Sequence, residues 1–234
     1  MWWKDHSARH GRSSALFSLG AVLWEFLLDS MPERRRRRYG DVEFDWSHRV
    51  DTTSATVGWR DRLLGALHSP YQPTDASLFH EMLEHIKTDF SKFTFLDLGS
   101  GKGRVLLIAS NYPFRRIVGV ELLPELHRIA VKNVRAYNSG LQPCFALECV
   151  LGDALDFVFP AEPTVLYLFN PLRESGMEQL ASNLAASLRQ HPRPFFVLYH
   201  NPVLEDVLMR DGSLKKIDGT HQYSVLASAM VTDS

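Results

Sequence analysis

One continuous stretch of this sequence predicts a strand, a tight turn and a helix: Phe93-Thr94-Phe95-Leu96-Asp97-Leu98-Gly99-Ser100-Gly101-Lys102-Gly103-Arg104-Val105-Leu106-Leu107-Ile108-Ala109. The run from Phe93 to Leu98 is mostly aromatic and branched, as expected of a buried strand. Three glycines follow at alternate positions, and glycine permits positive φ and lets a ligand approach the bare backbone. The apolar run from Val105 predicts a helix packed on the sheet. The turn therefore offers free amide hydrogens at a helix N-terminus.

The spacing of this turn argues against two ligand classes that use glycine-rich loops. A phosphate-binding P-loop needs a glycine five residues before its Gly-Lys pair, but Leu96 stands there relative to Gly101. A dinucleotide fingerprint needs a small third residue for close helix–strand packing, and this chain has Arg104 at that position. Nucleotide phosphates are therefore not the ligands that the spacing favours.

The turn instead resembles the first motif of class I S-adenosylmethionine (SAM)-dependent methyltransferases. It reads Asp97-x-Gly99-x-Gly101-x-Gly103, with Ser100 between the first two glycines. The resemblance implies a SAM cofactor and makes these five residues candidates for binding it. The alternative, a strand–turn–helix with incidental glycines, stays open on this motif alone.

Two acidic residues follow later strands. Arg116–Glu121 is a second buried strand, and an acid at its carboxyl end is placed to accept hydrogen bonds from both ribose hydroxyls of an adenosine. A third strand, Cys144–Val150, leads to Asp153, which resembles the acid that contacts the adenine amino group in the family. The alternatives are a solvated acid that caps the next helix for Glu121 and an aspartate that starts a turn for Asp153.

Asn170 and Pro171 follow a fourth predicted strand, Val165–Phe169. Amino-group methyltransferases often carry Asp/Asn-Pro-Pro-Tyr/Phe here, where the side-chain amide or carboxylate and a backbone carbonyl hold the nucleophilic nitrogen. The resemblance implies catalytic roles for Asn170 and Pro171 and a further cofactor contact for Asn170. The second proline and the aromatic residue are missing, because Leu172 and Arg173 follow. The alternative is that Asn170 only starts a turn, which asparagine does well.

A fifth predicted strand, Phe195–Tyr199, brings Tyr199 and His200 to the same edge as candidates for lining an acceptor pocket. No general base is evident. Upstream, Tyr71 and Thr74 lie in a segment that resembles the loop closing over the methionine end of SAM.

The order of elements predicts an α/β fold. Helices at Ala76–Lys87 and Pro124–Tyr137 alternate with the strands, and a late hairpin is expected from Leu214–Asp218 and Gln222–Met230. This alternation predicts a doubly wound, mostly parallel seven-stranded sheet, which is the class I methyltransferase, Rossmann-like fold. Residues 1–69 are predicted to form an N-terminal helical extension with a basic arm, and residues 70–234 the SAM-binding methyltransferase domain.

The extension is basic. Residues 1–40 contain eight basic and four acidic residues, a net charge of +4, whereas the whole chain carries -1. Glu25 and Asp29 interrupt an apolar run that is too short to span a bilayer, so no transmembrane segment is expected. The run predicts an amphipathic helix docked on the domain or a partner; the alternative is a peripheral membrane contact through residues 15–38. Arg34 to Arg38 suit the basic end of a helix, and nucleic-acid contact is not favoured.

The cysteines and histidines give no sign of a disulfide or a metal. Cys144 and Cys149 are five residues apart in a predicted strand and should face opposite sides, and two thiols in 234 residues fit a reducing compartment. A cytoplasmic protein is therefore expected. His80 and His85 resemble a zinc motif, but their spacing places them about 140° apart around a helix, so they cannot share one metal.

These features predict a SAM-dependent methyltransferase that acts on an amine nitrogen, with a protein lysine as one candidate acceptor. Within the superfamily the chain resembles the branch that contains histone lysine methyltransferases without a SET domain, small mitochondrial protein-lysine methyltransferases and bacterial proteins of unassigned substrate. The alternatives are a non-catalytic SAM- or dinucleotide-binding module, and a methyltransferase that acts on RNA or a small molecule.

Overall fold

The computed structural model describes residues 42–53, 73–140, 142–170 and 172–232. Its centre is one sheet of seven strands in the order β3-β2-β1-β4-β5-β7-β6. The strands are β1 Thr94–Leu98, β2 Arg116–Glu121, β3 Leu147–Leu151, β4 Thr164–Phe169, β5 Phe195–His200, β6 Leu214–Gly219 and β7 Tyr223–Ser228. Neighbouring strands among β1 to β5 run parallel, whereas β7 pairs antiparallel with β5 and with β6. The predicted mostly parallel seven-stranded sheet is confirmed.

Helices cover both faces of this sheet. They are α1 Val42–His48, α2 Ala76–Glu84, α3 Arg104–Ala109, α4 Pro124–Ala136, α5 Glu174–Gln190, α6 Glu205–Met209 and α7 Ala229–Thr232. Apolar residues of α2 and α3 pack with one face of the central strands, and those of α5 and α6 pack with the other. Because β1, β4 and β5 lie between these layers, nearly all of their residues are buried, as the continuous apolar runs in the sequence indicate.

The order of the strands places the candidate residues together. The chain leaves β1 toward β2 and β3 on one side, and later returns to β4 and β5 on the other side of β1. Ligands of open α/β sheets bind at such a reversal, outside the carboxyl ends of the strands. Asp97, Glu121, Asn170 and His200 all lie at or next to the carboxyl end of a strand.

Three boundaries differ from the sequence predictions by two residues or more, and the others that differ do so by one. The third strand begins at Leu147 and not at Cys144, because the backbone amide of Cys144 donates to the carbonyl of Ser110 and the Phe145 side chain is exposed. Helix α2 ends at Glu84, three residues early, where the amide of His85 turns back to the carbonyl of Leu83. The last strand ends before Met230, which lies in α7. No residue ranges were predicted from the sequence for helices α1, α5, α6 and α7.

Several sequence predictions fall outside the described residues. They concern Tyr71, Pro171 and the apolar and basic segments of residues 15–38. Among the helices that the structure does describe, none combines the length and the apolar character needed to cross a bilayer.

Candidate active site

The glycine turn joins β1 to α3 and is fastened to β2. The amides of Gly99 and Ser100 both donate to the carbonyl of Val120, at 2.9 and 3.0 Å, and the amide of Gly103 donates to the carbonyl of Ser100 at 2.8 Å. Gly103 has φ of 81° and precedes the first helical residue, so the turn ends in a conformation that L side chains rarely adopt. The turn is therefore a rigid cradle at the N-terminus of a helix.

Gly119 in β2 is needed for this packing, and the sequence motif does not include it. A Cβ at Gly119 would lie 2.5 Å from a methyl group of Leu106 and 2.9 Å from Cβ of Ser100. The absence of a side chain in β2 therefore lets the turn and α3 pack against the strand. A glycine in an otherwise branched strand is the signal that points to such a close approach.

Glu121 connects the second strand to the turn. One carboxylate oxygen, Oε2, accepts a hydrogen bond of 2.8 Å from the amide of Gly101, and the other, Oε1, accepts one of 2.8 Å from the amide of Leu123. The side chain is buried. A carboxylate accepts hydrogen bonds at both oxygens, so Glu121 is chemically suited to bind ribose hydroxyls.

Asp97 lies in β1 directly before the turn, and it is only 3% exposed. Burial and, to a lesser extent, the negative charge of Glu121 hold the pKa of Asp97 well above its usual range. No hydrogen bond to its side chain is found within the described part of the chain. A buried carboxyl without a partner is costly, and a bound cation would relieve that cost.

The cradle fits SAM on two observations. The Oγ atom of Ser100 is buried in the turn and has no hydrogen-bond partner among the described residues, so it is available to a polar ligand. Asp97 beside it needs a positive charge, and SAM carries both an ammonium and a sulfonium. Gly99, Gly101, Gly103 and Glu121 complete the group of sequence-predicted residues that the fold brings together.

Arg104 ties other parts of the chain to the turn, and its role was missed in the sequence. This side chain is 2% exposed, and its Nε donates to the carbonyl of Thr74 at 2.8 Å. Nη1 donates to Oγ1 of Thr52 at 3.0 Å and lies 3.8 Å from the carboxylate of Asp45. The guanidinium also lies 4.3 Å from the centre of the Phe44 ring. A basic residue where close packing favours a small one was the available signal.

A second set of contacts joins the residues before Thr52 to the glycine turn. The ammonium of Lys102 forms an ion pair with the carboxylate of Asp51 at 2.5 Å. The side-chain amide of Asn133 in α4 donates through Nδ2 to the backbone carbonyls of Asp51 and Lys102, at 2.8 and 2.9 Å. The described part of the N-terminal extension therefore packs directly on the cofactor cradle.

Thr74 begins a chain of hydrogen bonds that reaches the predicted acceptor side. Its Oγ1 lies 2.8 Å from the hydroxyl of Tyr167, and that hydroxyl lies 2.9 Å from Nδ1 of His200. The His200 ring stacks on Phe169 with centroids 3.8 Å apart. Burial lowers the pKa of His200 to about 4 although the nearby Asp75 opposes this shift, so the imidazole is neutral at physiological pH.

Asn170 has a fixed side chain at the end of β4. Its backbone has φ of 41°, and its Oδ1 accepts a 2.9 Å hydrogen bond from the hydroxyl of Tyr199. That hydroxyl also interacts with the backbone amide of Leu204, and burial raises the pKa of Tyr199. Asparagine tolerates this left-handed backbone better than most residues. Asn170 can therefore form a turn and also hold the methyl acceptor, as the sequence predicts.

Asp153 is half-buried and accepts a 2.9 Å hydrogen bond from the amide of Leu155. This is the turn-forming bond of the alternative interpretation. The preceding residue, Gly152, donates from its amide to the carbonyl of Glu121 at 3.0 Å, so Asp153 lies close to the end of β2. Its contact with an adenine stays a prediction.

Comparison with known proteins places this geometry in context. No family model matches the sequence. The chain is similar to a protein-lysine N-methyltransferase of Saccharolobus islandicus (strain REY15A), with 26% identity over 149 residues that cover 63% of this chain and 89% of the relative. The structure is similar to a predicted N6-adenine-specific DNA methylase from Listeria monocytogenes, with a TM-score of 0.51, 14% identity, and coverage of 75% of this chain and 56% of the other. The chain has the class I methyltransferase fold.

A further structure with this methyltransferase fold is an RNA methyltransferase from Salinibacter ruber in complex with S-adenosyl-L-homocysteine (SAH). It shares 24% identity, with coverage of 67% of this chain and 92% of that chain, and a TM-score of 0.47. The protein-lysine methyltransferase and the DNA methylase are named for different acceptors, so the class I methyltransferase fold does not by itself identify what is methylated.

Proposed function

We propose that this protein is a SAM-dependent methyltransferase that acts on an amine nitrogen, with a protein lysine as the acceptor. The observation that carries the proposal is the arrangement of two half-sites along one edge of the sheet. The first half-site is the glycine turn after β1 together with the buried carboxyl of Asp97, which has no hydrogen-bond partner among the described residues. The second is the side-chain amide of Asn170, which follows the adjacent β4 and is held by Tyr199. The similarity to a protein-lysine methyltransferase supports the choice of acceptor.

The cofactor half of the site uses residues of β1, β2 and the turn between them. The carboxylate of Glu121 accepts hydrogen bonds from the ribose hydroxyls. The hydroxyl of Ser100, which has no partner among the described residues, binds a polar group of the ligand. Asp97 is the counter-charge for the ammonium of the methionine end. We place Asp153 beside the adenine amino group and Tyr71 and Thr74 over the methionine end. Bound SAM supplies a methyl group that is already activated by its sulfonium.

The acceptor half uses residues at the ends of β4 and β5. Asn170 and the backbone at Pro171 hold the acceptor nitrogen, and the amide of Asn170 is kept in position by Tyr199. Burial lowers the pKa of His200, which supports an acceptor region that disfavours a buried positive charge. The same desolvation lowers the pKa of a lysine amine that enters, so the protein needs mainly to align the neutral amine and to exclude water.

The experiment that tests this function is transfer of a tritiated methyl group from SAM into fractionated lysate. We expect label in protein, released as methyl-lysine on hydrolysis. Label in RNA or in small molecules would show that the acceptor is not a protein lysine, but the protein would still be a SAM-dependent methyltransferase. SAM binding without transfer to any fraction would support the non-catalytic binding module, and absence of SAM binding would overturn the proposal.

A further inference from the structure

We infer that His200 is a further acceptor-binding residue, whose Nε2 accepts a hydrogen bond from the incoming amine nitrogen. This inference rests on the proposed function, because it assigns a role at the acceptor half of that site. The sequence places His200 only among residues that could line an acceptor pocket, and the role of its Nε2 atom is inferred from the structure.

The first support is that the His200 ring is held in one orientation. The ring lies parallel to Phe169 with an interplanar angle of 19°, and Nδ1 is bound to the hydroxyl of Tyr167. A stacked ring with one bonded nitrogen has no freedom to rotate without losing both contacts. Within the described part of the chain, Nε2 has no hydrogen-bond partner.

The second support is the chemistry of the groups behind the ring. Tyr167 and Thr74 both carry hydroxyls, and a hydroxyl can donate or accept. The hydroxyl of Tyr167 can therefore accept a hydrogen bond from the N–H at Nδ1 of His200. In that tautomer Nε2 carries no proton and has a lone pair. The partner of one ring nitrogen sets the chemical state of the other. In this tautomer His200 accepts a hydrogen bond from an amine N–H.

The third support is the environment of the ring. The charged group that acts on His200 is the carboxylate of Asp75 at the N-terminus of α2, and Tyr167 and Tyr223 are titratable neighbours on β4 and β7. None of these groups is cationic. The neutral His200 ring does not repel an incoming amine, and it does not form an ion pair with the carboxylate of Asp75.

The location of His200 also accounts for the missing aromatic residue of the acceptor motif. Leu172 stands where the motif has a second proline, and no aromatic side chain follows. His200 pairs with Phe169 across β4 and β5, immediately beside Asn170. The flat ring that other amino-group methyltransferases take from the residues after β4 is supplied here by the neighbouring strand.

The test uses two ligands that differ at the acceptor side. SAH lacks any group in the position of the methyl, whereas sinefungin, a SAM analogue, carries an amine there. We expect the wild-type protein to bind sinefungin more tightly than SAH by up to roughly 10-fold, because only sinefungin offers an N–H donor to Nε2. Isothermal calorimetry on the full chain gives both dissociation constants.

Two substitutions separate the hydrogen bond from the packing. His200→Phe keeps a flat ring on Phe169 but removes both nitrogens, so it should abolish the preference for sinefungin and leave SAH affinity within about 3-fold. His200→Gln provides an amide oxygen near the position of Nε2 and should restore part of the preference. Tyr112→Phe is the matched control, since the Tyr112 hydroxyl lies 2.6 Å from Nδ1 of His80, a histidine outside the site.

A second readout is the ring nitrogen spectrum of protein labelled with ¹⁵N-histidine. Sinefungin should shift Nε2 of His200, SAH should not, and Tyr167→Phe should change the tautomer signal of the unbound protein. An unchanged sinefungin preference in His200→Phe, together with normal SAH binding, would overturn the role of His200 alone. Failure of the wild-type protein to bind SAH or SAM would instead overturn the proposed function.

Discussion

The hydroxyl of Tyr199 donates a 2.9 Å hydrogen bond to Oδ1 of Asn170, from one strand to the end of its neighbour. Tyr199 is almost fully buried, so its hydroxyl has few alternative partners. The bond fixes which atom of the Asn170 amide points toward β5 and keeps the side chain in place before any acceptor arrives. Preorganisation of this kind reduces the cost of alignment during the reaction.

This relationship predicts that Tyr199→Phe and Asn170→Ala both reduce turnover with little change in SAM affinity. Asn170→Ala removes the proposed acceptor ligand, and Tyr199→Phe leaves that ligand mobile, so the loss should be larger for Asn170→Ala. We expect decreases on the order of 100-fold and 10-fold in kcat, the range of one or two lost interactions in the transition state. Calorimetry for SAM and methyl transfer to lysate protein are the measurements. If Asn170→Ala melts early yet keeps wild-type turnover per folded molecule, the residue is only a turn residue.

Glu121→Ala should weaken SAM binding by roughly 10- to 100-fold, because it removes the acceptor for two ribose hydroxyls at about 1.5–3 kcal/mol. The melting temperature should also fall, since the amides of Gly101 and Leu123 lose their partner. Glu148→Ala is the control, because that acid is exposed on the neighbouring strand β3. Unchanged SAM affinity in a folded Glu121→Ala protein would contradict the assignment.

From the raised pKa of Asp97 we predict that SAM binding releases protons. The pKa of this carboxyl is raised in the buried site, and a bound ammonium favours its ionised form. Binding should therefore release up to about one proton at any pH where the unbound carboxyl is protonated. The affinity for SAM should therefore increase as pH rises. Calorimetry in two buffers with different ionisation enthalpies measures the release. Asp97→Asn cannot ionise and should bind SAM with no proton release from this position.

His200 predicts a loss of stability in acid. Its pKa is about 4 in the folded protein, against 6.5 for an ordinary histidine. Between these values the unfolded chain takes up a proton that the folded chain does not, so the free energy of unfolding decreases as pH falls from 6.5 to 4. The decrease is at most roughly 3 kcal/mol. Urea unfolding across this range should show a flatter pH dependence for His200→Gln. The exposed His221 provides the control His221→Gln, for which the wild-type slope is expected.

The cofactor half of the site was predictable because its signals are local. The turn from Gly99 to Gly103 and the acid at Glu121 lie next to strands that the apolar runs of the sequence reveal. The acceptor half depends on contacts between distant residues: 93 positions separate Thr74 from Tyr167, and 33 separate Tyr167 from His200. A single sequence carries no signal for such pairs. The start of β3 was missed for a related reason, because the partner of Cys144 lies at the end of α3.

Arg104 has a consequence for how this chain can vary in length. Its guanidinium binds Thr52 through one nitrogen and the carbonyl of Thr74 through another. Both ends of the segment that connects Thr52 to Thr74 are therefore bound by one side chain, that of Arg104 at the first residue of α3. The entropy of closing a loop grows only with the logarithm of its length. Insertions between Thr53 and Pro73 should therefore leave the glycine turn undisturbed, so related chains can differ in length at this connection and keep the same cofactor cradle.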